Sequence, residues 1–107
     1  MEHTITMELT RHVYENNKTM TNAAGFIASA TYKYEGETEG RRAASGFRKS
    51  VLDVLDDALA YLLDSLARSY DTATVTITLP AGYTAADVKQ VTDKYALEEQ
   101  FTAITIA

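Results

Sequence analysis

SVLDVLDDALAYLLDSLARSY, residues 50–70, is the stretch on which the reading of the whole chain turns. Val51, Leu55, Ala58, Leu62 and Leu66 recur at steps of three and four. Leu52, Leu59 and Leu63 widen the stripe, and Asp53, Asp57, Asp64 and Arg68 fall on the opposite side. That period specifies an amphipathic helix with one face for a core and one for water. At roughly 1.5 Å per residue it is about 30 Å long, enough to cross a sheet. Ser50 followed three residues later by Asp53 supplies an N-cap pattern, with Ser45 as the alternative cap. Asp64 stands four residues ahead of Arg68, a pair worth ~0.3 kcal/mol.

Ahead of the helix the period changes from 3.6 to 2. Over residues 3–14, Ile5, Met7, Leu9 and Val13 alternate with Thr4, Thr6, Glu8, Thr10 and His12, which predicts a strand with one wet face. Glu15, Asn16, Asn17 and Lys18 then supply a reversal. The partner strand is GFIASATYKYE, residues 25–35. It carries Phe26, Ala28, Ala30, Tyr32 and Tyr34 on one side, where the two small alanines leave room for a close helix, and Ile27, Ser29, Thr31 and Lys33 on the other. Gly36 and Gly40 bracket an acidic turn, GETEG, after which Arg41–Phe47 returns as a third antiparallel strand, with a loop as the competing reading because β-branched residues are lacking.

Behind the helix the cleanest alternation in the chain, TATVTITL, places Val75, Ile77 and Leu79 inward and Thr74, Thr76 and Thr78 outward. Pro80 and Gly82 end that strand. Thr84 with Asp87 repeats the capping signature before a shorter helix whose stripe is Val88, Val91 and Tyr95, and FTAITI, Phe101–Ile106, closes the chain as a strand. The order β-β-β-α-β-α-β predicts a single α+β domain over residues 1–107. Its mixed sheet consists of a three-strand meander, long helix, strand, short helix and strand, with the helices on one face.

In layout this order resembles the ribonuclease H-like fold. The span GFIASATYKYEGETEGRRAAS is similar to that family's second and third strands, and ADVKQV to its second helix. The resemblance implies metal-ion chemistry on an Asp in the first strand, a Glu on the first helix and an Asp just after the fourth strand, because two cations clamp the scissile phosphate. This chain departs from that set: Glu8 stands in the first strand and Asp53 or Asp56 on the helix, but Thr78-Leu79-Pro80-Ala81-Gly82 offers no acid. A degenerate nuclease would need Asp87 to reach back and join Glu8 and Asp53 around magnesium.

Composition narrows the function classes further. With 107 residues the chain buries a real core without staples, and with no cysteine it has no disulfide framework, thiolate zinc site or cysteine nucleophile. No run reaches the roughly 18 apolar residues of a membrane span. The first residues, MEHTITMELTRH, carry neither a basic leader nor an apolar run, so a cytoplasmic protein is expected. The net charge of -5 is unevenly spread. Residues 1–50 hold seven cationic and six anionic side chains, a net of +1, whereas residues 51–107 hold three and nine, a net of -6. That second half repels phosphate and attracts basic protein surfaces, which disfavours direct nucleic-acid binding.

The individual candidates follow from these patterns. His3 and His12 lie nine positions apart on one strand and point to opposite faces, so they do not share an ion. Arg41, Arg42, Arg48 and Lys49 gather ahead of the long helix, either as an anion site or as salt-bridge partners of Glu35, Glu37 and Glu39. Two surfaces suit a protein partner. One is the acidic helix face of Asp53, Asp57 and Asp64, which would meet a basic groove. The other is the threonine-rich back of the sheet. The expectation is a non-enzymatic protein-binding module with no cofactor, similar in size and charge to small phage anti-defence proteins of the anti-CRISPR type. A degenerate nuclease and a structural homodimer or larger homo-oligomer are the alternatives.

Overall fold

The computed structural model describes residues 1–14 and 25–107, and in it the chain runs β1 (Glu2–Tyr14), β2 (Gly25–Tyr34), β3 (Arg41–Phe47), α1 (Val51–Ser69), β4 (Thr72–Thr78), α2 (Ala85–Ala96) and β5 (Phe101–Ile106). The reversal expected at residues 15–18 lies outside the described residues. Strand order across the sheet is β3-β2-β1-β4-β5. The central β1 pairs antiparallel with β2, Met7 opposite Tyr32, and parallel with β4, Met7 beside Ile77. β3 is a strand, antiparallel to β2, and β5 runs parallel to β4. The sheet is therefore mixed, as the element order predicts.

Alternation decides which side of the sheet is dry. Ile5, Met7 and Leu9 of β1, Ala28, Ala30 and Tyr32 of β2, and Ala73, Val75 and Ile77 of β4 are all buried on one face. Onto that face α1 lays Val51, Val54, Leu55, Ala58, Leu59, Leu62 and Leu66, and α2 adds Val88, Val91 and Tyr95. Val54, one three-residue step after Val51, belongs to this stripe as well. Beneath α1 the floor is small: Ala30 of β2 pairs with Ala44 of β3, so the helix comes close at that end of the sheet. Burial of a leucine side chain contributes about 1.5–3 kcal/mol, so the seven-residue stripe of α1 is the largest single source of stability.

The ends of α1 follow the cap chemistry. Ser50, not Ser45, is the N-cap, and its hydroxyl accepts from the Asp53 amide at 3.1 Å. At the other end Tyr70 takes a left-handed backbone, φ 55°, and its amide reaches the Ala67 and Leu66 carbonyls while its ring is 92% exposed. The entry to α1 is equally tight. A Cβ on Gly46 would lie 2.7 Å from the Lys49 side chain, so the lead-in to α1 folds close over the one residue of β3 that has no side chain.

Two substitutions separate packing from backbone geometry. Leu59→Ala is expected to lower unfolding free energy by about 2–5 kcal/mol. Tyr70→Gly is expected to raise it by up to about 1 kcal/mol by relieving the left-handed residue without removing a buried side chain. Urea titrations followed by far-ultraviolet circular dichroism read both as shifts in midpoint at unchanged slope.

Candidate functional site

The same alternation that buries one face strips the other. Both helices pack on the Ile5, Met7 and Leu9 side, and the reverse of the sheet carries no element among the described residues. Pairing arranges its side chains in rows. Lys33, Thr6, Thr76 and Thr105 stand abreast on β2, β1, β4 and β5, and Arg42, Thr31, Glu8 and Thr78 form the next row. Ser45, Ser29 and Thr10 form a third, in which the Thr10 and Ser29 hydroxyls share a 2.8 Å hydrogen bond. Strands about 4.8 Å apart thus present a nearly regular array of hydroxyls. A shallow depression of about 370 Å³, lined by Thr6, Glu8, Thr31, Lys33, Gly40 and Thr78, lies within it.

One corner of this face is bound together by a carboxylate. Glu2 accepts from the hydroxyls of Thr72, Thr74 (3.0 Å) and Thr102 (2.9 Å), which ties β1, β4 and β5 across their first residues. Those hydroxyls, Thr72 foremost, hold the Glu2 carboxyl below the usual carboxylate range. In the sequence Glu2 looks like an ordinary exposed acid, because its three partners lie 70, 72 and 100 positions away.

The acidic helix surface differs from its appearance in the sequence. Asp57 pairs with Lys49, and Asp64 pairs with Arg68 at 3.0 Å. Asp53 sits in the first turn of α1, where its amide caps onto Ser50. Asp53, Asp57 and Asp64 are all exposed, but cations are interleaved with them, so this flank of α1 carries both signs. Asp56 is engaged more tightly. The Tyr95 hydroxyl donates to its carboxylate at 2.5 Å, and Lys94 reaches it at 3.1 Å, joining α1 to α2. The Tyr95 hydroxyl and then Lys94 hold Asp56 below the ordinary range, while burial first and Asp56 second push the Tyr95 phenol up.

The remaining candidates disperse. Arg41 pairs with Glu37 at 2.5 Å, the salt-bridging alternative, whereas Lys49 turns to Asp57. Arg48 stacks over the Phe47 ring at 5.2 Å, and Arg42 stands on the open face opposite Thr31. His3 and His12 do take opposite faces. His3 is not a free surface residue, however: it is half-buried, its Nε2 lies 2.9 Å from Asp71, and its ring meets Tyr34 edge-on at 5.0 Å.

Glu8, Asp53 and Asp87 are not brought together. Glu8 points from the uncovered face, Asp53 rides on the helix packed against the other, and the Asp87 carboxylate accepts from the Thr84 amide at 2.7 Å in the cap of α2. Among the described residues no three His, Asp or Glu side chains converge as metal ligands would.

Four carboxylates held below their usual values, Glu2, Glu37, Asp56 and Asp71, set the acid response. His3 first and the Met1 amino group second hold the Asp71 carboxyl below its usual value, as Tyr95 and Lys94 do for Asp56. Native values below unfolded ones mean that this stabilisation is complete above the unfolded pKa of about 4 and disappears as pH falls through the native values. Thermal midpoints should therefore drop on acidification below about pH 4. Asp71→Asn, less stable at neutral pH, should show a shallower drop. Tyr95→Phe removes the α1–α2 hydrogen bond and is expected to cost about 1–2 kcal/mol at neutral pH, measured by urea unfolding.

No helix of the described residues is long and apolar enough to cross a membrane. No protein-family model matches the chain, and no curated protein is significantly similar to it, so the geometry of these surfaces is what a functional reading has to rest on.

Proposed function

We propose that the chain is a non-enzymatic protein-binding module that docks a partner protein on the open, hydroxyl-rich face of its sheet. One observation carries this reading: a five-stranded sheet has both of its helices on one side, and no element among the described residues covers the rows built on Thr6, Thr76 and Thr105 and on Thr31, Glu8 and Thr78. Threonine hydroxyls both donate and accept, their methyl groups give up little on leaving water, and β-branched stems on a rigid sheet lose little rotamer freedom on binding. Lys33, Arg42, Glu8 and Glu35 around the rows supply charge for register.

The acidic second half of the chain has a separate part. Surface pairs such as Asp57–Lys49 and Asp64–Arg68 are worth ~0–1 kcal/mol and do not cancel the surplus of carboxylates, so the protein's field draws a basic partner at long range. Charge governs approach and the sheet face governs residence. An inhibitor of a nucleic-acid-processing host enzyme, as carried by phages and other mobile elements, matches this division: such enzymes expose basic grooves, and a small acidic binder is steered into them.

Binding to purified, immobilised CRISPR effector nucleases, followed by interferometry, is the test. With Thr6→Arg and Thr76→Arg together, residence time should fall at least tenfold. With Asp53→Asn, Asp57→Asn and Asp64→Asn together, association should slow and lose much of its salt dependence while dissociation stays unchanged. Wild-type binding by the double arginine variant would remove the sheet face from the account. Absence of binding to every nuclease tried would remove the inhibitor role, and magnesium-dependent cleavage of an RNA-DNA hybrid by the protein would replace the module with an enzyme.

A further inference from the structure

The two edges of the sheet are built differently. β3 opens with Arg41 and Arg42, its ladder slips register opposite Ala30 and Thr31, and Arg48, the residue just after it, takes φ 59°. Charge and irregularity of this kind keep a foreign strand from adding to an edge. β5 slips register only at its start, where Ala73 pairs with Phe101 and Thr74 with Ala103, and from Ala103 onward it runs in regular register without a charged side chain. Residues 100–107, QFTAITIA, hold no charged side chain, no proline and no glycine, and four of the six strand residues, Thr102, Ile104, Thr105 and Ile106, are β-branched.

The ladder also defines which backbone groups are unspent. The Ala107 amide donates to the Ile77 carbonyl at 2.8 Å, and Ile77 pairs with Ile106 while Val75 pairs with Ile104. In a parallel pair alternate residues bond inward, so Ala103, Thr105 and Ala107 spend their backbone groups on β4, and Ile104 and Ile106 aim their N–H and C=O groups outward. β4 is the only strand to which β5 pairs among the described residues. The side chains beside this edge are Ala103 and Thr105, exposed on the open face, and Ile104 and Ile106, half-buried on the helix face.

We infer that β5 pairs antiparallel with β5 of a second copy of this chain, across a two-fold axis perpendicular to the sheet. The occupant follows from chemistry. An edge without charge selects no oppositely charged partner, and in antiparallel self-pairing the Ile104 and Ile106 donors and acceptors meet the same groups of the other copy with no like charges opposed. Directly opposed residues of an antiparallel pair share a face, so the dimer keeps its four helices on one side and joins the two open faces into one ten-stranded surface. The guarded β3 edges then form its outer margins, which stops growth at two. The contact consists of one short strand from each copy. That falls at the small end of specific interfaces, below about 1,200 Å², so the dimer dissociates on dilution. This inference concerns the edge and does not depend on the docking role of the face.

Sedimentation velocity over a concentration series is the first measurement, with the full chain. The expected result is a monomer–dimer equilibrium whose dimer is lost in a variant carrying Ala103→Lys and Thr105→Lys. That variant should keep the wild-type circular dichroism spectrum, because both side chains are exposed. A second variant with Ala103→Glu and Thr105→Glu should be monomeric alone, and mixing the two should restore a dimer of one of each. Amide exchange at Ile104 and Ile106 should slow as concentration rises. A concentration-independent monomer, assemblies larger than two, a dimer indifferent to the lysines, or mixed variants that remain apart would each overturn the pairing.

Discussion

The contact between the leucine stripe of α1 and an alanine-floored sheet is the constraint from which the other features follow. Leu55, Leu59, Leu62 and Leu66 fill the space above Ile5, Met7, Ala28, Ala30, Val75 and Ile77, and every one of these residues is buried. A helix about 30 Å long needs a dry surface of matching length, and only one side of strands with period 2 can provide it. Once that side is used, the threonines of β1 and β4 have nowhere to point but away. The open face is thus a by-product of core formation before it is a surface with any function.

Polar chemistry in this protein is used to register elements. Glu2 fastens β4 and β5 to the start of β1 through three hydroxyls, Asp71 fastens the end of α1 to His3 and the first residue, and Asp56 fastens α1 to α2 through Tyr95. Each is a carboxylate with a pKa drawn down by donors of different elements, and each lies at the margin of the core. Perturbed carboxylates often mark catalytic sites, but structural networks produce the same shift. Here the three are separated and each has its donors satisfied within the fold, which is the pattern of structural clips.

The proposed docking role assigns the remaining surface to steering and contact. The carboxylates of the second half of the chain are partly interleaved with Lys49, Arg68, Lys89 and Lys94, so the field they produce is diffuse. The rows of Thr6, Thr76 and Thr105 are by contrast fixed to about the spacing of the strands. A rigid array of groups that donate and accept can make many weak, well-placed contacts, and the neutral β5 edge beside it offers a means of doubling the array.

How much of this was legible in the sequence depends on the range of the interaction involved. Helix α1, the alternation of β1, β2 and β4 and the Thr84–Asp87 cap are set by neighbours three or four positions away or by a period of two, and the sequence alone determined them, along with which threonines would share a wet face. The choice of Ser50 over Ser45 as the cap of α1 came from the structure. Tertiary structure alone decided that Asp57 would be paired with Lys49, that Glu2 would be held by hydroxyls as far as 100 positions away, that His3 would be committed to Asp71, and that Glu8, Asp53 and Asp87 would stay apart. It also decided that β5 would be an edge, since strand order follows from which strand each one pairs with, and no local pattern in FTAITI states whether one or two neighbours will satisfy its backbone.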